Sequence, residues 1–395
     1  MLRKVFFWIH KWLGLITGLV VLVVSITGCI NVFADELKTF FYKDRYYSAA
    51  PADGKQLDFP EAKRLYFSVL RDHAQQALGP NIKISRAEIY PEKGRTWVFR
   101  ASKTKKDAIG HWNYYQYYYR VYVDPFSGKV INVEDTKNEF FQLVLNLHMN
   151  LLLGDLVGTM VTGISALCFF VLLLSGLILW FPRKWSTKGF KKVLTFKWNT
   201  GWKRLNYDLH TISGFYVLIP ALLICLTGLV FAFSWADQSV QYLANGATKV
   251  KKREIPKSSP NASYPAATTN AAVTALLQKH PDADVFSIRF REKETDPLDV
   301  QVRLAKNRTH LFEWYYFDRN TGKLLEHYND RTVIGGERFR SMNYDLHTGA
   351  FAGIPTKILA FLISLICAAM PVTGFLMWYN KPAKKKVKPR AIPVR

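Results

Sequence analysis

The sequence predicts a membrane α-helical protein: four transmembrane helices arising from an internal duplication, with two small α+β domains outside the membrane. Three observations predict it. The 395 residues are 49% hydrophobic, yet the mean hydropathy is only −0.03, so long apolar segments alternate with ordinary polar ones. The apolar residues collect in four stretches, about 5–34, 140–182, 204–236 and 340–380, each able to supply the roughly 20 residues a spanning helix needs. The hexapeptide NYDLHT occurs at 206–211 and again at 343–348, each time opening an apolar stretch.

The first stretch is read as a helix rather than a cleaved leader, although Arg3 and Lys4 precede it, because its pattern recurs at 204–236. Charge then orients the spans. Of the net +24, residues 1–11, 183–204 and 381–395 supply three, eight and seven Lys or Arg and no acid. The long segments 35–139 and 237–340 mix signs, with 18 basic to 14 acidic residues and 17 to 13. Short, purely basic flanks mark the cytoplasmic side of an inner membrane and contact anionic membrane lipids. Both termini are therefore expected in the cytoplasm, and nothing in this charge calls for nucleic acid.

The expected order is transmembrane helix 1 at 1–34, an outer domain at 35–139, helix 2 at 140–182 and a basic cytoplasmic loop at 183–203. Helix 3 follows at 204–236, a second outer domain at 237–339, helix 4 at 340–380 and a basic tail at 381–395. The two copies share register. Thr27-Gly28 follows His10 by the same interval as Thr227-Gly228 follows His210, and Gly176 with Trp180 matches Gly374 with Trp378. In the outer domains, YVDPFSGKV (122–130) and YFDRNTGKL (316–324) both read strand, tight turn, strand. TWVFRA and LDVQVRL alternate as half-buried strands do, while residues 60–78 and 270–280 read as amphipathic helices and 251–270 as a linker. Cys29, Cys168, Cys225 and Cys367 fall one per span and read as small packing residues.

One histidine stands near an end of each span: His10, His148, His210 and His347. Following the chain direction, His10 and His210 share the inner depth, and His148 and His347 the outer. Each depth thus receives one imidazole from each copy, as the two axial positions of a haem iron require. Two haem b groups per chain are the expectation. A zinc or non-haem iron site would need further ligands at helical spacing. Gly14 and Gly214, four residues beyond the inner histidines, leave a flat helix face beside each ring. Tyr207 and Tyr344, three residues before their histidines, share the histidine face and are candidates for the haem lining. Asn206 with Asp208, and Asn343 with Asp345, read as helix caps ahead of a ligand.

The four spans, the paired Tyr-x-Asp-x-x-[Ser/Thr]-Gly-Lys hairpins and the HKWLG of the first helix resemble the PepSY-associated transmembrane family over essentially the whole chain. The chain is similar in particular to haem-containing reductases of iron–siderophore complexes in the bacterial inner membrane. The resemblance implies two PepSY-like periplasmic domains. It also implies delivery of electrons, from quinol or a cytoplasmic reductase, to a ferric siderophore or similar chelate. The aromatic run HWNYYQYYYR (111–120) is a candidate lining for that chelate, against the alternative of a strand covering the core. Two other functions compete: a PepSY-based binding or regulatory protein without redox activity, which leaves the four histidines unused, and an iron-chelate permease.

Overall fold

The computed structural model describes residues 1–48, 64–182, 186–249, 253–260 and 263–380. The basic tail 381–395 expected from the sequence, and parts of the expected segments at 60–78, 183–203 and 251–270, lie outside them. The chain opens with α1 (Leu2–Val32), a single 31-residue helix, followed by α2 (Ala34–Phe41). A bundle forms from α1, α5 (Asp155–Trp180), the pair α6 (Trp202–Tyr216) and α7 (Leu218–Ala232), and α10 (Ile354–Tyr379). Three of these helices are long and apolar enough to cross a membrane. The α6/α7 pair makes a fourth candidate span, bent by 67°.

The bend has a local cause. Pro220 carries no N–H for the carbonyl of Tyr216 and its ring crowds that turn, so α6 ends where the proline's i−4 partner lies. The matching position in α1 is Val20, and α1 runs straight through.

The other two expected spans also break. The stretch 140–182 divides into α4 (Phe140–Asn150) and α5, through Leu151 and Leu152 in the left-handed region and Gly154 at φ +81°. The stretch 340–380 divides into α9 (Gly335–Thr348) and α10, through Gly349 at φ +75° and Gly353 at φ +81°. Gly154, Gly349 and Gly353 take such φ values without strain, while Leu151 and Leu152 carry side chains through the left-handed region. His148 and His347 therefore sit on short separate helices, and the continuous helices expected there from hydropathy are corrected to helix–corner–helix.

Outside the bundle lies one eight-stranded sheet, ordered β4-β3-β2-β1-β5-β6-β7-β8. Residues 86–135 supply β1 (Arg86–Ile89), β2 (Trp97–Thr104), β3 (Tyr115–Val123) and β4 (Val130–Asp135). Residues 285–329 supply β5 (Val285–Arg289), β6 (Leu298–Ala305), β7 (Arg308–Phe317) and β8 (Leu324–Asn329). Each set is an antiparallel meander. The sets join edge to edge where β1 pairs antiparallel with β5. Two separate outer units were expected, but joining them removes two exposed edges, each a row of unpaired backbone donors and acceptors.

α3 (Phe67–Leu78) and α8 (Ala266–Lys279) cover one face of the sheet. Phe67, Leu70, Val273 and Leu276 pack there on Ile89, Phe99, Ile288 and Val302, all buried. Emptying such a site, as Phe99→Ala would, costs roughly 3–5 kcal/mol. Asn270 ties the two helices by accepting from the Ser68 N–H and donating to its hydroxyl. α8 begins at Ala266, inside the stretch read as linker, and α3 begins at Phe67, later than the sequence pattern suggested. The paired hairpins form as expected. Asp124 and Asp318 accept from backbone N–H groups two residues on, and Gly128 and Gly322 take positive φ.

Candidate functional site: two histidine pairs and their seats

The four histidines meet as two pairs. His10 on α1 and His210 on α6 have ring centroids 6.2 Å apart and planes at 87°. His148 on α4 and His347 on α9 have centroids 6.1 Å apart and planes at 65°. The first pair lies at the end of the bundle bearing the basic loop, the second at the end bearing the sheet. One metal ion between two Nε2 atoms, at about 2.0–2.1 Å per bond and about 1.1 Å from nitrogen to ring centre, would space the centroids roughly 6.3 Å apart. Both pairs fit that spacing. Among the described residues no group of three His, Cys, Asp or Glu side chains gathers for a metal, so each set is two imidazoles.

Each imidazole rests on a Ser/Thr-Gly step of a neighbouring helix. His10 sits on Ser175-Gly176, His148 on Thr27-Gly28, His210 on Thr373-Gly374 and His347 on Thr227-Gly228. A Cβ at Gly28 would fall 3.2 Å from the Cε1 of His148, and one at Gly176, Gly228 or Gly374 would fall 3.3 Å from the Cε1 of its ring. A side chain at any of these glycines would push its ring off the helix by a few tenths of an ångström.

The hydroxyls fix the tautomer. Thr27, Thr227 and Thr373 each donate to backbone carbonyls three and four residues back, and Ser175 donates to Leu172 O. Their hydrogens being spent, the oxygens accept from Nδ1–H of His148 (3.2 Å), His347 (3.0 Å), His210 (2.9 Å) and His10 (2.9 Å). His148 also donates to Val24 O at 2.8 Å and His347 to Ile224 O at 3.0 Å. With the proton held on Nδ1, Nε2 keeps its lone pair, the state a metal-ligating imidazole needs.

The arrangement is reciprocal. α1 carries His10 and the seat of His148, while the α4–α5 segment carries His148 and the seat of His10. The segments α6–α7 and α9–α10 exchange His210 and His347 in the same way.

The repeated hexapeptide now has a different reading. Asn206 and Asn343 are not caps, because α6 begins at Trp202 and α9 at Gly335, which leaves both asparagines inside their helices. Both are buried, and each donates across to the seat of its own histidine. Asn206 Nδ2 bonds Thr373 O at 3.0 Å and Asn343 Nδ2 bonds Thr227 O at 3.2 Å. The aspartates are not caps either, and they do not touch the rings of His210 and His347. Asp208 pairs with Arg204 at 2.7 Å. Asp345 accepts from the Thr309 hydroxyl and N–H and from the His310 ring and N–H, which binds α9 to strand β7.

A cavity of about 380 Å³ opens beside the loop-side pair, lined by His10, His210, Gly14, Gly214 and Tyr207 among mostly apolar side chains. Arg3 and Lys11 are its cations. Tyr344 does not share this setting. It lines a second, polar chamber beneath the sheet.

The aromatic run 111–120 becomes a helical turn and the interior strand β3. Its Trp112 donates to Asn138, Tyr114 to Asp155 and Tyr115 to Asn146, bracing the sheet on the helices, and of the run only Arg120 reaches the polar chamber. His73, His111, His280, His310 and His327 each have a local partner. Sequence reasoning missed Lys357, buried in the first turn of α10 and paired with Glu36 at 2.6 Å. It also missed the seats, whose signal was the four Ser/Thr-Gly steps.

The fold and site define a membrane protein in which apolar helices carry paired histidines beneath an antiparallel sheet. More particularly, the chain belongs to the PepSY-associated TM region family, whose model matches residues 7–381. No curated protein matches the sequence significantly.

Proposed function

We propose that this protein is a di-haem oxidoreductase of the bacterial inner membrane that reduces a periplasmic Fe(III)-siderophore or similar chelate and so releases its iron. The observation that carries this reading is the two imidazole pairs at metal-bridging separation, each ring seated on glycine with its proton fixed on Nδ1. His10 and His210 would hold one haem b, and His148 and His347 the other. Bound there, haem supplies reversible one-electron chemistry.

The chain's own residues do the rest. The hydroxyl and carbonyl acceptors on Nδ1 orient the ligands and raise their basicity. The apolar lining of the loop-side cavity excludes water, while Arg3 and Lys11 are suited to pair with propionates. On this reading the two four-stranded meanders are PepSY-like domains of a duplicated frame. They stand in the periplasm, with the basic loop and both termini in the cytoplasm. The electron comes from quinol or a cytoplasmic reductase, and Fe(III) takes up one. The product Fe(II), a softer ion, is held less tightly by hard oxygen donors.

The test is a reduced-minus-oxidised spectrum of detergent-purified protein with haem counted per chain, repeated on His210→Ala and His347→Ala. Two b-type haems in the parent and one in each variant are expected. No haem under haem-replete expression overturns the reading.

A further inference from the structure

The face of the sheet turned toward the bundle carries a row of directly opposed residues across six strands. In order they are Glu134, Arg120, Arg100, Arg86, Arg289 and Asp299. Four arginines stand consecutively, and the last contact among them, Arg86 opposite Arg289, is the seam where the two meanders join. Like charges placed opposite one another on a sheet repel. Three such contacts in succession are a feature that strand pairing alone does not favour.

The compensation is uneven. Glu134 pairs with Arg120 at 3.5 Å and Asp299 with Arg289 at 3.2 Å, so the ends of the row are neutralised. Glu88 serves the middle, and it lies 3.0 Å from Arg100 but 3.9 Å from Arg86. The one other polar contact of Arg86 among the described residues is to the Ser287 hydroxyl, across the seam at 2.7 Å. Burial, and beyond it the neighbouring Arg100 and Arg289, push the Arg86 guanidinium down to about 10, so it stays charged at neutral pH with little to balance it.

Beside Arg86 lies the polar chamber, about 300 Å³, between the sheet, α2 and α9. Lys38, Arg86, Arg95, Arg120, Arg303 and Lys306 line it against four carboxylates, and Tyr344 brings it to within one helical turn of His347. Glu134 and Glu139, just beyond the lining, answer Arg120 and Lys38 at 3.5 and 3.8 Å, which leaves the loosely paired Arg86, a few residues from the sheet-side pair, placed to hold an anion there.

We propose that this chamber, with Arg86 at its centre, is the substrate site and selects ferric chelates of net negative charge, those with catecholate or free carboxylate groups, over neutral hydroxamate chelates. The proposal rests on the reductase reading for the identity of the ligand, but its charge selectivity stands on the arginine row. The site performs no chemistry of its own: it binds the chelate beside the reducing centre.

The test uses redox-inert gallium, so binding is read without electron transfer. The full-length protein in nanodiscs is titrated with the trianionic Ga(III) tris-catecholate and the neutral Ga(III) tris-hydroxamate. The trianion is expected to bind at least about tenfold more tightly. Arg86→Gln should remove most of that preference. Glu88→Gln, which removes the negative charge beside Arg86, should strengthen it, and this opposite sign keeps the proposal testable if the Arg86 variant folds poorly. Equal binding of the two chelates overturns the proposal. So does an Arg86→Gln variant that loses haem while its preference is unchanged, because the arginine then serves a propionate. Haem content is scored separately: a normal spectrum without charge preference sinks this site alone, and a preference without haem sinks the reductase reading.

Discussion

The imidazole of His347 lies against Gly228 so closely that a methyl group on that glycine would stand 3.3 Å from Cε1, and Nδ1 of the same ring is 3.0 Å from the hydroxyl of Thr227. One dipeptide thus sets both the distance and the proton of this imidazole. Gly228→Ala is expected to displace the ring by a few tenths of an ångström and, if the pairs hold haem as proposed, to lower haem content from two toward one per chain. The control is Gly214→Ala, whose added methyl would meet only the Met370 sulfur at 3.5 Å and should retain more haem. Pyridine haemochrome assays on both variants separate the cases. Equal loss from both would mean that the glycines serve helix packing rather than the ring.

Asn206 and Asn343 reinforce the seats of His210 and His347 only. Four residues before His10 and His148 stand Phe6 and Val144, whose side chains cannot donate. Asn343→Leu should weaken retention of the sheet-side haem on the order of tenfold, the usual effect of removing an outer-shell partner. Val144→Ala should leave it close to the parent. Haem transfer to an apo-globin acceptor measures both.

Asp345 is fully buried and satisfies four donors of Thr309 and His310. Asp345→Ala strands those donors and should destabilise the junction of α9 and β7 by about 3 kcal/mol. Limited proteolysis is expected to release the sheet, while His10 and His210, at the far end, keep their haem.

Acid stability follows from Glu88. Burial works to raise its carboxyl, but Arg100, Arg86 and Arg120 outweigh burial and hold it at about 2, against an ordinary 4.5. A depressed carboxyl contributes stability above its unfolded value and loses it as pH falls through the folded one. The thermal midpoint should therefore be flat above about pH 4.5 and fall from there toward pH 2. Glu88→Gln should lack that part of the slope; an identical slope would show that the arginines draw nothing from Glu88.

Much of this was legible in the chain. Which histidines pair, and the Asp–Gly hairpins, follow from local spacing and chain direction, and the structure brings His10 to His210 and His148 to His347. Relations between distant segments were not legible. Thr27-Gly28 marks register along its own helix, but nothing in the sequence says that His148 will lie on it. Asn206 and Asn343 looked like caps because the turns before them, WKRL and GGERFRSM, are too polar to announce a helix by hydropathy. The β1–β5 seam is an edge-to-edge pairing between strands about 200 residues apart, and alternation within a strand does not name its neighbour.

Because α1 presents one ligand and supports another, as does the segment it exchanges with, the two centres are not independent modules. Whatever fixes His10 on Ser175-Gly176 also sets the register of α1 against α5, and with it the alignment of Thr27-Gly28 under His148. If the two pairs hold haem as proposed, filling one centre should lower the ordering cost of filling the other, a cooperative linkage that needs no change of shape. The apoprotein should take up its second equivalent more readily than its first, and singly loaded molecules should be scarce along the path to the complete protein.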